Sequence, residues 1–214
     1  RGGAEVLFVA RHERQADALG AARDRWVICT KAGEEFDQRT GRSTFDFSPD
    51  AITRSVERSL RRLRTDRVEC VLLHSDGRDQ WILKESGAWE ALVGLRDRGL
   101  VRAAGISTKT PDGALLAAGM CDVVMLTLNL NEKADLPAIT AARAHGTGVL
   151  VKKALASGHI ASGADVDADP VEASLRLALG TAGVSSVIIG TINPDHLAHN
   201  IAVAAGILGD DPGA

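Results

Sequence analysis

Two basic side chains stand at the ends of apolar runs, where they could transfer protons or stabilise negative charge. Lys31 follows the run over residues 27–30, and His74 follows the run over residues 71–73. Short runs of Val, Ile and Leu without alternation predict parallel strands that are covered on both faces. Chemistry in α/β folds gathers at the carboxyl ends of such strands. The spacing therefore predicts that Lys31, His74 and Ser107, which ends another run, converge on one cavity.

A consecutive pair, Lys152 and Lys153, ends a further apolar run. Neighbouring residues of a strand point to opposite faces, so one of these lysines is expected to point into the fold and the other outward. An inward lysine is either an ion-pair partner or a candidate for a Schiff base with a carbonyl substrate. The sequence leaves both readings open.

The segment from Gly190 to Asn193-Pro194 joins the last apolar run to a helix. It is either a simple strand-to-helix turn or an anion site, since the N-terminus of a helix attracts negative charge. The histidines His12, His145 and His159 show no spacing typical of metal ligands, and no metal site is predicted.

Strands and helices alternate along the whole chain, which predicts a parallel sheet built from βαβ units. Six strands are clear and a seventh lies near residues 5–10, so we expect a (β/α)8 barrel that lacks its first strand–helix unit. Ser48 and Pro49 start a helix whose apolar stripe faces the core. The further expectations are a helix over 13–23, loops over 34–47, 75–85 and 156–169, and a last strand over 184–190.

Composition limits the possible partners. The chain has 214 residues, a net charge of −3 and a hydrophobic fraction of 45%. These values predict one domain over residues 1–214, without a nucleic-acid surface or a membrane segment. No signal-peptide pattern is seen, and the three cysteines lie in apolar runs, so we expect a cytoplasmic protein with core cysteines rather than disulfides.

Three segments together resemble the aldo-keto reductase family. Residues 27–33 (VICTKAG) are similar to the family strand that ends in a catalytic lysine, and residues 71–74 (VLLH) to the strand that ends in a catalytic histidine. Residues 187–197 (VIIGTINPDHL), followed by Asn200, resemble its cofactor-binding strand, loop and helix. The loop at Glu34 and residues 151–159 resemble a divergent bacterial branch. The resemblance implies a barrel of the TIM type.

The resemblance also implies an activity, the NADPH-dependent reduction of an aldehyde or ketone of small size. Lys31 and His74 match two of the four catalytic positions of the family. The aspartate and tyrosine positions fall at about Leu7 and His12, and the chain contains no tyrosine. The family's usual proton donor is therefore absent from this sequence, and its start is interpreted as truncated or altered.

The cofactor-binding residues implied by the resemblance lie at the ends of three strands and in the last helix. Ser107 and Thr108 occupy the positions that hold the carboxamide, and Met125 and Ile192 replace the glutamine and arginine often found in the family. Lys152 or Lys153 is expected to supply positive charge. The full set is Ser107, Thr108, Lys152, Lys153, Gly190, Thr191, Asn193, His196 and Asn200.

Two other functions remain open on the sequence alone. The absence of tyrosine favours a catalytically inactive member that binds a nucleotide or a partner protein. An inward Lys152 or Lys153 favours a Schiff-base lyase. A barrel without its first unit would expose a strand edge, and this predicts a homo-oligomer.

Overall fold

The computed structural model describes residues 7–9, 20–156 and 169–209. Seven strands of the described chain form one parallel sheet, β1 Leu7–Val9, β2 Val27–Ala32, β5 Val68–His74, β6 Val101–Ser107, β7 Val123–Thr127, β8 Gly148–Lys152 and β9 Ser186–Val187, in this order. Two antiparallel strands, β3 Glu34–Asp37 and β4 Arg42–Phe45, form a separate hairpin. The predicted α/β barrel architecture is confirmed.

Seven α-helices connect the strands or follow them in the described chain. They are α1 Pro49–Leu63, α2 Asp79–Lys84, α3 Ala88–Asp97, α4 Pro111–Ala118, α5 Leu136–His145, α6 Pro170–Gly180 and α7 Pro194–Gly209. None of them is both long and apolar enough to cross a membrane.

Helix α1 begins and packs as its sequence predicts. The Ser48 hydroxyl accepts a hydrogen bond from Ala51 N at 3.4 Å, and Pro49 occupies the first turn, where its missing N–H costs nothing. The apolar stripe that includes Ile52 and Val56 is buried. The opposite face carries exposed arginines, as expected for a helix that covers one side of a sheet.

The strands separate two apolar regions. Their outward side chains pack under the helices in a large core that includes Ile28, Leu73 and Ile106. Their inward side chains form a smaller cluster inside the curled sheet, made of Cys29, Cys70, Leu72, Val123, Met125 and Leu150. All three cysteines are buried and free, as predicted. This inner cluster lies directly below the carboxyl ends of the strands, which form the rim of the barrel.

Several local predictions are corrected. Residues 34–47, predicted as a loop, contain the β3–β4 hairpin, which forms although nearly all its side chains are exposed. Residues 75–85 contain α2, which forms because Ile82 and Leu83 are fully buried. The last strand is shorter than predicted, since only Ser186 and Val187 pair with β8.

Two predictions fall partly or wholly outside the described residues. Of the helix predicted over 13–23, only the end is described, and there the chain forms a 3-10 helix over Gly20–Arg25. The predicted loop over 156–169 lies mostly in the part that is not described, as do His12 and His159.

Candidate active site

The alternation of side chains along the parallel strands places four polar residues above the inner cluster. Lys31 stands two residues after Cys29, His74 two after Leu72, and Lys152 two after Leu150. Because the earlier residue of each pair lies inside the barrel, the later one points to the same side at the carboxyl end. Ser107 is aligned with His74 on the neighbouring strand.

Ser107 is the rim residue that two lysines contact. Its buried hydroxyl accepts hydrogen bonds from Lys31 Nζ at 3.4 Å and from Lys152 Nζ at 3.3 Å. Lys152 Nζ also donates to the backbone carbonyl of Thr108. Two ammonium groups from strands on either side of β6 are thereby brought to one hydroxyl group. Lys31 and Ser107 converge as the sequence predicts.

Lys152 is a partly buried cation of the rim. Burial lowers its pKa below the ordinary value, and the neighbouring charge of Lys153 adds to this effect. The carboxylates of Asp135 and Asp79 act in the opposite direction. A lysine with a lowered pKa gives up its proton more readily, so Lys152 combines a cationic and a nucleophilic capacity.

His74 lies beside a carboxylate that comes from the hairpin. Its Nδ1 forms a close contact with the Glu34 carboxylate, and both side chains are about one-fifth exposed. The Ser43 hydroxyl, across the hairpin, donates to Glu34 Oε1 at 2.5 Å. The structure thus places His74 at the rim with one ring nitrogen engaged by an acid.

Thr108 and Lys153 have different surroundings from their neighbours in sequence. Thr108 is buried, and its amide N donates to Met125 O at 3.0 Å. Lys153 is exposed with a positive φ of 55°, while its carbonyl accepts a hydrogen bond from Asn129 Nδ2 at 3.1 Å. Lys152 is therefore the inward lysine and Lys153 the outward one.

The remaining predicted cofactor residues lie in the segment after β9. Gly190, Asn193 and His196 are exposed, and Asn200 is buried on the first half of α7. Asn193 N donates to the Thr191 hydroxyl at 3.1 Å, and Asp195 N donates to Asn193 Oδ1 at 2.9 Å, so the start of α7 is ordered by local bonds.

Three carboxylates at or near the rim were not predicted as site residues. Glu34 follows β2 after one glycine, a position that could have marked it as a rim residue. Asp135 accepts a hydrogen bond from Thr127 N at 2.9 Å, and burial raises its pKa above the ordinary value. Asp79 is buried and accepts from Thr110 N at 2.8 Å, which fixes the loop that follows Ser107.

Known proteins resemble this chain in sequence and in fold. The sequence pattern of the Aldo/keto reductase family matches residues 9–173, about three quarters of the chain. The chain belongs to the aldo/keto reductase family. A putative aldo-keto reductase from Pseudomonas aeruginosa shares 50% identity and a TM-score of 0.83, over 92% of this chain and 73% of that protein.

More distant relatives of this family member extend the comparison. An aldo-keto reductase from Bacillus halodurans, at 20% identity and a TM-score of 0.76, shares the fold over 94% of this chain and 75% of that protein. D-threo-aldose 1-dehydrogenase from a Pseudomonas species is 26% identical over 162 residues, 65% of this chain. D-arabinose 1-dehydrogenase from Saccharomyces cerevisiae is 34% identical over 122 residues, 51% of this chain.

The matched segments cover only part of these two dehydrogenases. The alignments span 49% of the first protein and 34% of the second.

Proposed function

We propose that this family member is a nicotinamide-dependent oxidoreductase that interconverts a small carbonyl compound and its alcohol, with NADPH as the reduced cofactor. The observation that carries this proposal is the convergence of Lys31 and Lys152 on Ser107, with His74 on the neighbouring strand. In barrels of this type, substrate chemistry is expected among residues at the carboxyl ends of the strands. Residues 1–214 would form one domain that acts on a small molecule in the cytoplasm.

The donor groups of the described residues fit a dinucleotide phosphate. Ser107 carries a hydroxyl group at the rim, and Lys153 offers an exposed ammonium group. The buried Thr108 hydroxyl donates to Met125 O at 3.4 Å. Thr191, Asn193 and His196 lie at the start of α7, whose N-terminus favours an anion, and Asn200 lies further along the same helix. These residues, with Gly190, would hold the cofactor, and the bound nicotinamide would supply or accept the hydride.

The rim cations would stabilise the charge that develops on the substrate oxygen. When hydride reaches a carbonyl carbon, negative charge gathers on the oxygen, and donors already held in place stabilise it without reorganisation. Lys31 and Lys152 are held by Ser107, and the half-buried position strengthens their effect, since water screens them less. His74 would orient the same oxygen.

The names of two relatives support a proposal for the substrate class. Two of them are named as dehydrogenases of aldoses, which are polyhydroxy aldehydes. We therefore propose aldoses and short hydroxy aldehydes as the first substrates to examine. Both directions of the reaction should be measured, since the same residues serve oxidation and reduction.

The experiment compares cofactor binding and turnover in the wild type and in Lys31→Met. NADPH binding is followed by fluorescence, and turnover by absorbance with aldehydes and aldoses. We expect saturable binding in both proteins and a loss of kcat/KM of about 100-fold or more in the variant. Lys84→Met, which changes an exposed lysine on α2, is the matched control and should behave as the wild type.

Two outcomes contradict the proposal. Absence of binding at millimolar NADPH would remove the cofactor assignment. Binding without any turnover would instead indicate a family member that binds the nucleotide but does not catalyse hydride transfer.

A second candidate function rests on Lys152. Its pKa is lowered by burial, and a lysine of this kind can form a Schiff base with a carbonyl compound. Incubation with an aldose and borohydride, followed by mass spectrometry, would trap the adduct as a secondary amine. Loss of the adduct in Lys152→Met, but not in Lys153→Met, would establish this chemistry, and absence of an adduct in the wild type would exclude it.

A further inference from the structure

The contact between His74 and Glu34 defines the proton positions on the imidazole ring. The Glu34 carboxylate lies against Nδ1. An ionised carboxylate can only accept hydrogen bonds, so Nδ1 must carry the hydrogen. In the neutral ring, Nε2 then carries the lone pair.

The hairpin holds Glu34 in place from several sides. Ser43, which lies two residues before Phe45 on β4, donates to Glu34 Oε1 at 2.5 Å. Gly33 turns the chain into β3 with φ +99°, and a side chain at this position would meet Phe47 at 2.7 Å. Phe45 in turn stacks on Phe47, with ring centroids 6.1 Å apart. The carboxylate is thus presented by a packed turn and not by a free loop.

The rim therefore contains an acid–imidazole pair in a chain that has no tyrosine. Carboxylate–imidazole pairs elsewhere fix the ring and stabilise the charge that it gains during proton transfer. We propose that Glu34 positions His74 as the proton-transfer group of this site, so that Nε2 takes the proton of a substrate hydroxyl in oxidation and returns it in reduction. The catalytic part of this inference rests on the function proposed above.

The step is balanced in both directions. In oxidation, the substrate O–H bond breaks, its proton binds to Nε2, and its electron pair forms the C=O bond as hydride leaves for the oxidised nicotinamide. In reduction, the Nε2–H bond breaks and the proton binds to the substrate oxygen, which has received the electron pair of the C=O bond. The hydrogen on Nδ1 stays between His74 and Glu34 throughout.

The first test is a measurement of the His74 tautomer that needs neither cofactor nor turnover. Imidazole ¹⁵N spectra distinguish the two neutral tautomers, and His74→Gln identifies the signal among the six histidines. At about pH 9, well above the ordinary imidazole pKa, we expect a hydrogen on Nδ1 in the wild type. Glu34→Ala should shift the ring toward hydrogen on Nε2, and Glu35→Ala should not.

Glu35 is a suitable control because it is the next residue of the same strand, is exposed and pairs with Arg58 instead of His74. Hydrogen on Nε2 in the wild type would overturn the inference, whether or not the protein is active. Glu34→Gln keeps the size of the side chain and replaces Glu34→Ala if that variant does not fold.

The second test is a double-mutant cycle on turnover. We expect His74→Asn to lower kcat about 100-fold or more and Glu34→Ala to lower it about 10-fold or more, with little change in KM for the cofactor. If Glu34 acts through His74, adding Glu34→Ala to His74→Asn costs no further activity. Additive effects would overturn the positioning role. A wild type that binds no NADPH and turns over no substrate would contradict the proposed function and the catalytic role of His74. The tautomer measurement would still show whether Glu34 orients the His74 ring.

Discussion

The central strands of the barrel and its last described segment hold their predicted site residues in different ways. Strands β5 and β6 are aligned at six positions, and His74 and Ser107 form the last of these pairs. Strand β9 is aligned with β8 at two positions only, and Ile192 after it is fully exposed. The residues proposed for chemistry are thus fixed by sheet and core, whereas the proposed cofactor residues that follow β9 are ordered by local bonds.

This difference has a thermodynamic consequence. Ordering a segment on binding costs conformational entropy, and a site that is already ordered avoids this cost. We therefore expect substitutions near the rim strands to affect folding most and substitutions near α7 to affect cofactor binding most.

The largest contrast is expected from removing apolar side chains. Ile106 is fully buried on β6 and Ile201 is 60% exposed on α7. Ile106→Ala should lower the free energy of unfolding by about 4 kcal/mol, because it leaves a cavity under the helices. Ile201→Ala should change it by less than about 0.5 kcal/mol. Urea denaturation measures both, and similar losses in the two variants would contradict the comparison.

A second contrast uses two glycines. A Cβ added to Gly105 on β6 would lie 1.8 Å from the carbonyl oxygen of Val123, whereas one added to Gly206 on α7 would meet nothing within 4 Å. Gly105→Ala should therefore cost about 3 kcal/mol, since backbone atoms must move. Gly206→Ala should be neutral or stabilise by up to about 1 kcal/mol through helix propensity. A stable Gly105→Ala protein would show that the sheet adjusts more easily than its packing indicates.

A third prediction concerns the charge at the rim. Burial lowers the pKa of Lys152 in the folded chain, so the folded state disfavours the ammonium form. This destabilisation is fully present below the lowered pKa and disappears as pH rises to the unfolded value of 10.5. Lys152→Met should be more stable than the wild type at pH 7, by less than about 1 kcal/mol, and the difference should shrink in alkaline solution. A difference that grows with pH would contradict the assigned cause.

The last prediction concerns cofactor binding by Asn200, which is buried on α7. Asn200→Ala should weaken NADPH binding about tenfold, because one hydrogen-bonding group is lost. Ile201→Ala, its exposed neighbour, is the control and should leave the dissociation constant unchanged. Equal affinities of the wild type and Asn200→Ala would move the cofactor away from this segment.

The parts of the fold that local patterns encode were predictable. Apolar runs ending in Lys31, His74, Ser107 and Lys152 predicted four adjacent or near-adjacent parallel strands, because continuous apolarity indicates burial on both faces. Ser48 and Pro49 predicted the start of α1, since capping depends on residues close in sequence. The joint position of Lys31 and Ser107 follows from these strands once they lie in one sheet.

The parts that depend on distant contacts were not predictable. Helix α2 is six residues long and forms because the fold buries Ile82 and Leu83. The β3–β4 hairpin has almost no apolar alternation, and the position of Glu34 just after β2 does not by itself predict its contact with His74. That pairing joins residues forty positions apart and needed the three-dimensional structure.

The most direct measurement of the central claim is the transfer of deuterium from NADPH that is labelled at the nicotinamide C4 position. After incubation with an aldehyde, mass spectrometry of the alcohol should show one deuterium on the carbinol carbon with the wild type and with Lys84→Met. The label should be strongly reduced with Lys31→Met. Label transfer is detectable even when turnover is slow, so it separates weak catalysis from none. An unlabelled product pool despite saturating NADPH, or equal labelling with Lys31→Met, would contradict the assignment of this rim as the active site.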